Sequence, residues 1–169
     1  HPTVATTTAG QAGATSPAAL AGGLEFAQYA DYVEVNLARL GYTQAANDRE
    51  AVRMAALDDV EGIYNVQPER VQRSVHPALV KRGFYKKDGS TPYVEMPMTY
   101  DQLVTLSKNW NREGTRDTSI KQVEVYDVLD QTAVVKLTAS WGIDYMLLGK
   151  FDGTWKITQI LWQSPPPTR

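Results

Sequence analysis

The chain has 169 residues, of which 17 are basic and 19 acidic, a formal charge of −2, and no cysteine. That length fits one domain with a real core. The charge balance offers no electrostatic case for nucleic acid or an anionic membrane, and the absent cysteine excludes disulfides, thiolate nucleophiles and Cys-based zinc sites.

The chain opens with HPTVATTTAGQAGATSPAALAGG. This stretch is rich in Ala, Thr and Gly and lacks apolar periodicity, so residues 1–23 are expected to form a disordered linker. It resembles the linker left after a signal peptide is removed, which makes an exported protein, periplasmic or secreted, the expectation. No run approaches the roughly 20 apolar residues that span a bilayer, so membrane insertion is not expected.

Residues 24–46 read as a helical segment. Phe26, Tyr29, Val33 and Leu37 fall near one face, and Gly41 is placed as a C′ residue. A second helix is expected over 47–66, because Asn47 and Glu50 have capping-box spacing. Val52, Ala55, Ala56, Val60 and Ile63 form its apolar stripe, away from Arg53, Asp58 and Glu61. Gly62 in such a helix points to close approach by a neighbour.

Pro68 suits the first turn of a short helix that Pro77 stops. Residues 78–93 read as loop, with a short strand at 93–96. Thr99 and Gln102 repeat the capping-box spacing and open a helix to about Trp110. Four strands are expected at 120–129, 132–141, 143–151 and 154–163. Ser164–Arg169, with three prolines in a row, leaves the sheet. Helices first and meandering strands afterwards argue for an α+β fold with an antiparallel sheet.

Asp152-Gly153 suits a two-residue type I′ turn. Phe151 then opposes Thr154, and the register follows by alternation. Leu148 faces Ile157, Met146 faces Gln159, and Asp144 faces Leu161. Tyr145, Leu147, Ile160 and Trp162 fall on the other face, large and apolar enough to suggest a homodimer interface.

Three segments carry a family likeness: VEGIYNVQPERVQRSVHPALVKRGFYK, MTYDQLVTLSKNWN and SWGIDYMLLGKFDGTWKITQILWQ. Together they resemble the "Putative lumazine-binding" family of the nuclear-transport-factor-2-like superfamily. The likeness spans about residues 48–165. It implies a cone-shaped fold, a curved antiparallel sheet around helices with a cavity at the open end, similar in shape to ketosteroid isomerases, scytalone dehydratases and SnoaL-like cyclases. The domain is placed at 47–165, residues 24–46 are an added helical segment, and 166–169 are a tail.

Parity puts Asp144 on an otherwise apolar face, where an unpaired carboxylate would have a raised pKa. The other reading of Asp144 is a structural carboxylate satisfied by hydroxyls or backbone N–H groups. His76, before Pro77, is expected at the cavity mouth, within reach of Asp144, or else as a helix-stop residue bonded to backbone. Tyr93 and Trp110 are expected on the cavity wall, with Tyr85, Trp141 and Tyr145 as further wall candidates, and Gln159 shares the face of Asp144. Lys81-Arg82-Lys86-Lys87 reads as a solvated loop or an anion-attracting edge. Asp58-Asp59 and Arg112-Glu113 read as solvent-facing. With His1 the only other histidine, no metal site or cofactor is expected.

Three functions compete. The first is a non-catalytic binding domain holding an apolar or aromatic small molecule. The second is an enzyme of isomerase, dehydratase or cyclase type, using Asp144 and His76 for proton transfer. The third is an interaction module using the outer sheet face.

Overall fold

The structure is a computed structural model that describes residues 17–89 and 91–166. Helices and strands follow in the order α1 (Pro17–Tyr64), α2 (Pro68–Ser74), β1 (Val75–Tyr85), β2 (Val94–Met98), α3 (Tyr100–Asn109), β3 (Lys121–Val128), β4 (Thr132–Ala139), β5 (Gly142–Phe151) and β6 (Thr154–Gln163). The chain divides into two units, residues 1–42 and 43–169.

In the first unit the described residues are helical. Pro17–Gly23, expected in a linker, belong to α1. Gly41 does not end the helix. A cost of about 1 kcal/mol against Ala is too small to terminate a helix that other residues favour. The expectation for residues 1–16, and the face assigned to Phe26 and Tyr29, lie outside the described residues.

The second unit carries the core. Its part of α1 buries Val52, Ala55, Ala56, Asp59, Val60 and Ile63, a spacing of three and four that makes one stripe. Asn47 is not a cap, because α1 runs through it. The helix ends in a Schellman arrangement. Gln67 N–H donates to the Gly62 carbonyl at 2.8 Å, and Val66 takes the left-handed position at φ 56°. A Cβ on Gly62 would lie 2.8 Å from Val71 Cγ2, so α2 packs where the sequence called for close approach. At α3 the Thr99–Gln102 capping box forms in both directions.

The sheet has six strands in the order β2-β1-β6-β5-β4-β3, curved and unclosed, with β2 and β3 at its edges. Two expectations need correction. Residues 78–85, expected as loop, belong to strand β1, and β1 pairs with β6 in parallel, so the sheet is mixed. The punctuation by Pro77 and Gly83 hid this strand. Both residues are accommodated, Pro77 within an irregular stretch of pairing and Gly83 under a tryptophan.

The β5–β6 hairpin turns at Asp152-Gly153, both with positive φ, 48° and 79°. Phe151 opposes Thr154 and Leu148 opposes Ile157, as alternation from the turn predicts. Beyond that point a bulge leaves Thr158 without an opposite residue, and its hydroxyl donates to the Leu147 carbonyl at 3.0 Å. The remaining pairs are Leu147 with Gln159, Met146 with Ile160, Tyr145 with Leu161 and Asp144 with Trp162. The faces of Gln159, Ile160, Leu161 and Trp162 are therefore reversed from simple alternation. Ile160, 2 % exposed, is core, and Trp162 packs against that core. Gln159 and Leu161 lie on the outer face with Tyr145 and Leu147.

Candidate ligand-binding site

A cavity of about 450 Å³ opens within the second unit, between α1, α3 and the concave side of the sheet. Its apolar wall comes from Ile63 of α1, Met96 and Met98 around β2, Leu106 of α3, and Trp110, Trp141 and Trp162. The tryptophans are held in place by packing. Tyr64 stacks on Trp110 with ring centroids 5.5 Å apart, and Trp141 meets Tyr64 and Trp110 edge-on at 5.3 and 5.4 Å. The Tyr64 hydroxyl accepts from Ser140 N at 2.8 Å and is within donating distance of the Ile120 carbonyl at 2.5 Å. These bonds tie the helix end to the β4–β5 turn.

Trp162 depends on Gly83 beside it. A Cβ built on Gly83 would lie 1.9 Å from the indole Nε1, so only glycine lets the ring lie on β1. The indole N–H is buried there with no hydrogen-bond partner among the described residues.

Beneath the cavity floor lies a charged cluster. Asp144 is fully buried, opposite Leu137 of β4. Both its oxygens lie 3.2 Å from the Trp141 indole nitrogen, and Lys81 Nζ is 3.8 Å from Oδ2. Lys81, 5 % exposed, also lines the cavity. Asp59 completes the group from α1. It is fully buried and its oxygens have no hydrogen-bond partner among the described residues. Burial pushes Asp59 up to about 6, against the pull of Lys81 and with a further push from Asp144. Burial raises Asp144 too, opposed by Lys81 and by the Trp141 hydrogen bond.

Several sequence expectations resolve here. Trp110, Tyr85 and Trp141 line the cavity. Asp144 sits behind Lys81 and Trp141 rather than on the lining. Tyr93 stands outside the wall, half-exposed, with Lys86 Nζ 5.1 Å over its ring and its hydroxyl 3.3 Å from Gln163 Nε2. Gln159 and Tyr145 face outward. His76 is remote from the cluster. Its ring packs on Phe151 with centroids 4.5 Å apart, and its Nδ1 accepts from Ala78 N at 3.1 Å. Phe151 lies at the far end of β5 from Asp144, about 20 Å away at the rise of an extended strand. A His76–Asp144 proton-transfer pair is thus excluded by the irregular start of β1, which places His76 beside the hairpin tip.

Two members of the cluster depart from what their sequence positions suggest. Asp59, expected to face solvent beside Asp58, is fully buried. Asp58 is buried too, but Arg70 at 3.0 Å and Arg73 at 2.6 Å meet its carboxylate directly. Asp59 stands four residues after Ala55 and four before Ile63, which places it inside the apolar stripe. Lys81, expected in a solvated loop or an anion-attracting edge, is buried in β1. Within β1 it alternates with buried Leu79 and Gly83, a pattern visible once the segment is read as strand.

Among the described residues no group of three His, Cys, Asp or Glu side chains is placed to hold a metal ion. No helix among them is long and apolar enough to cross a membrane.

Helices packed into the concave side of a curved sheet, with a pocket between them, define a nuclear-transport-factor-2-like cone. Solved structures agree. The chain is similar to a nuclear-transport-factor-2-like protein of unknown function from Shewanella baltica, at TM-score 0.56 and 12% identity over 72% of this chain and 96% of that one. It is also similar to a protein of the same description from Silicibacter pomeroyi, at TM-score 0.50 and 11% identity over 75% and 98% of the two chains. Residues 47–163 match the family described as "Putative lumazine-binding", and the chain belongs to that family. No curated protein matches the chain.

Proposed function

We propose that the second unit binds a small planar aromatic molecule in the cavity walled by Trp110, Trp141 and Trp162. The observation that carries this reading is the wall itself. Three indoles, one Ile, one Leu and two Met side chains surround a space of about 450 Å³, large enough for a bicyclic or tricyclic ring system. Aromatic faces and polarisable thioethers favour flat ligands over branched aliphatic ones. The family's descriptor, which refers to a bicyclic heterocycle, is consistent with that shape. Calorimetric titration with 2-naphthamide, 2-naphthoate and lumazine tests the reading. Saturable one-to-one binding is expected for at least one of them, weakened roughly tenfold by Trp110→Ala through lost ring contact. Absence of saturable heat with all three would sink it.

We further propose that two copies pair through the outer sheet face. Val80, Tyr145, Leu147 and Leu161 stand together there, exposed by 60, 49, 44 and 50 %. An apolar set of this kind on one face favours a partner.

A further inference from the structure

The polar groups that reach the cavity are unbalanced in charge. Lys81, Lys86, Lys87 and Arg116 line it, and among the described residues no Asp or Glu does. The charge of Lys81 is already met from behind by Asp144 and Asp59. Among the described residues no ion pair joins Lys86, Lys87 or Arg116 to a carboxylate. Two of these cations instead lie over aromatic rings. Arg116 Cζ is 4.7 Å from the Trp110 centroid, and Lys86 Nζ is 5.1 Å from that of Tyr93.

The positions are set by two different segments. Lys86 and Lys87 follow β1 directly. The Lys86 backbone N–H donates to the buried Ser164 hydroxyl at 2.9 Å, fixing that loop against the end of β6. Arg116 sits in the loop after α3, where its backbone N–H donates to Asn111 Oδ1 at 3.0 Å. Asn111 in turn donates to the Tyr64 carbonyl at 2.9 Å. All three cations thus line the cavity, and beside them the indoles offer an apolar wall.

We infer that the ligand is an aromatic anion, its ring held by the tryptophans and its carboxylate or similar acidic group held at the rim by Lys86, Lys87 and Arg116. This rests on the binding reading above and adds the ligand's charge to it. A neutral ring would form no ion pair with the three cations. An anion with its charge at one edge pairs with them while its flat body replaces water against the indole wall.

Titration of 2-naphthoate and 2-naphthamide, alike in shape and different in charge, separates the two claims. The carboxylate is expected to bind about tenfold tighter than the amide in low salt. In the triple variant Lys86→Gln, Lys87→Gln, Arg116→Gln the preference should shrink to about threefold or less, with amide affinity little changed. These side chains are at the surface or half-buried, and the melting temperature of the variant checks that the fold is intact. Equal affinity for the two probes, or a preference that survives the triple substitution, overturns the charge inference and leaves the cavity reading standing. Binding of neither probe overturns both.

Discussion

Lys81 Nζ lies 3.8 Å from Asp144 Oδ2, with both side chains almost wholly out of solvent and a second carboxylate, Asp59, close by. One ammonium therefore serves two buried acids at the base of the cavity. Lys81→Met would leave both carboxylates without a cation. A loss of about 3–5 kcal/mol is expected, read as a fall in melting temperature or denaturant midpoint. Adding Asp144→Asn should restore part of that loss, and a double-mutant cycle with no coupling would refute the relationship.

Asp59 makes stability depend on pH in a definite direction. Its value in the folded chain is about 6, against an ordinary 3.8, so the folded state holds the proton more tightly than the unfolded chain. The contribution is full below about pH 4 and is lost as pH rises through about 6. The span corresponds to at most about 3 kcal/mol. Between those conditions the wild type should lose stability relative to Asp59→Asn. Denaturation at several pH values decides this, and parallel curves for the two proteins would exclude it.

The hairpin explains both how much of this site was legible and where the reading stopped. Asp152-Gly153 fixed the turn, and alternation from it carried Asp144 to the buried face. One unopposed residue, Thr158, then reversed every position after it on β6. The trace of that bulge is in the sequence. Apolar residues step by two from Trp155 to Ile157, by three to Ile160, and by two again to Trp162. Alternation assumes an unbroken ladder, and a bulge breaks it without changing composition. Lys81 and Asp59 were hidden differently. Each is a charged residue at an apolar position, and residue type alone argues for solvent where periodicity argues for burial.

That reversal redirects the test of pairing. Leu161, not Ile160, lies on the outer face with Tyr145 and Leu147. Leu161→Glu should turn a dimer into a folded monomer, measured by sedimentation beside a thermal melt. Ile160→Glu should instead unfold the chain, since it places a carboxylate in the core. A wild type that sediments as a monomer at high micromolar concentration would remove the proposed interface.

Val66 offers a stabilising change outside the cavity. It holds φ 56° at the helix end, a conformation that is unfavourable for a β-branched side chain. Val66→Gly should raise stability by about 1 kcal/mol, offset in part by the greater freedom of glycine in the unfolded chain and by the half-buried methyls it removes. A melting temperature that falls by several degrees would mean that those methyls outweigh the backbone strain.

The contact between Gly83 and Trp162 couples strand packing to the cavity. The indole lies where any β-carbon on residue 83 would stand, 1.9 Å from Nε1, too close for small adjustments to absorb. Gly83→Ala must therefore swing the ring away from β1. Trp162 lines the cavity, so the displaced ring either enters that space or opens the wall. Overpacking of this kind costs about 1–3 kcal/mol in stability. Affinity for 2-naphthoate should fall roughly tenfold, because the cavity wall loses one of its indoles. Trp162→Phe in the same background should recover stability, since a smaller ring fits beside the new methyl. Binding unchanged in Gly83→Ala would show that Trp162 does not shape the ligand's place.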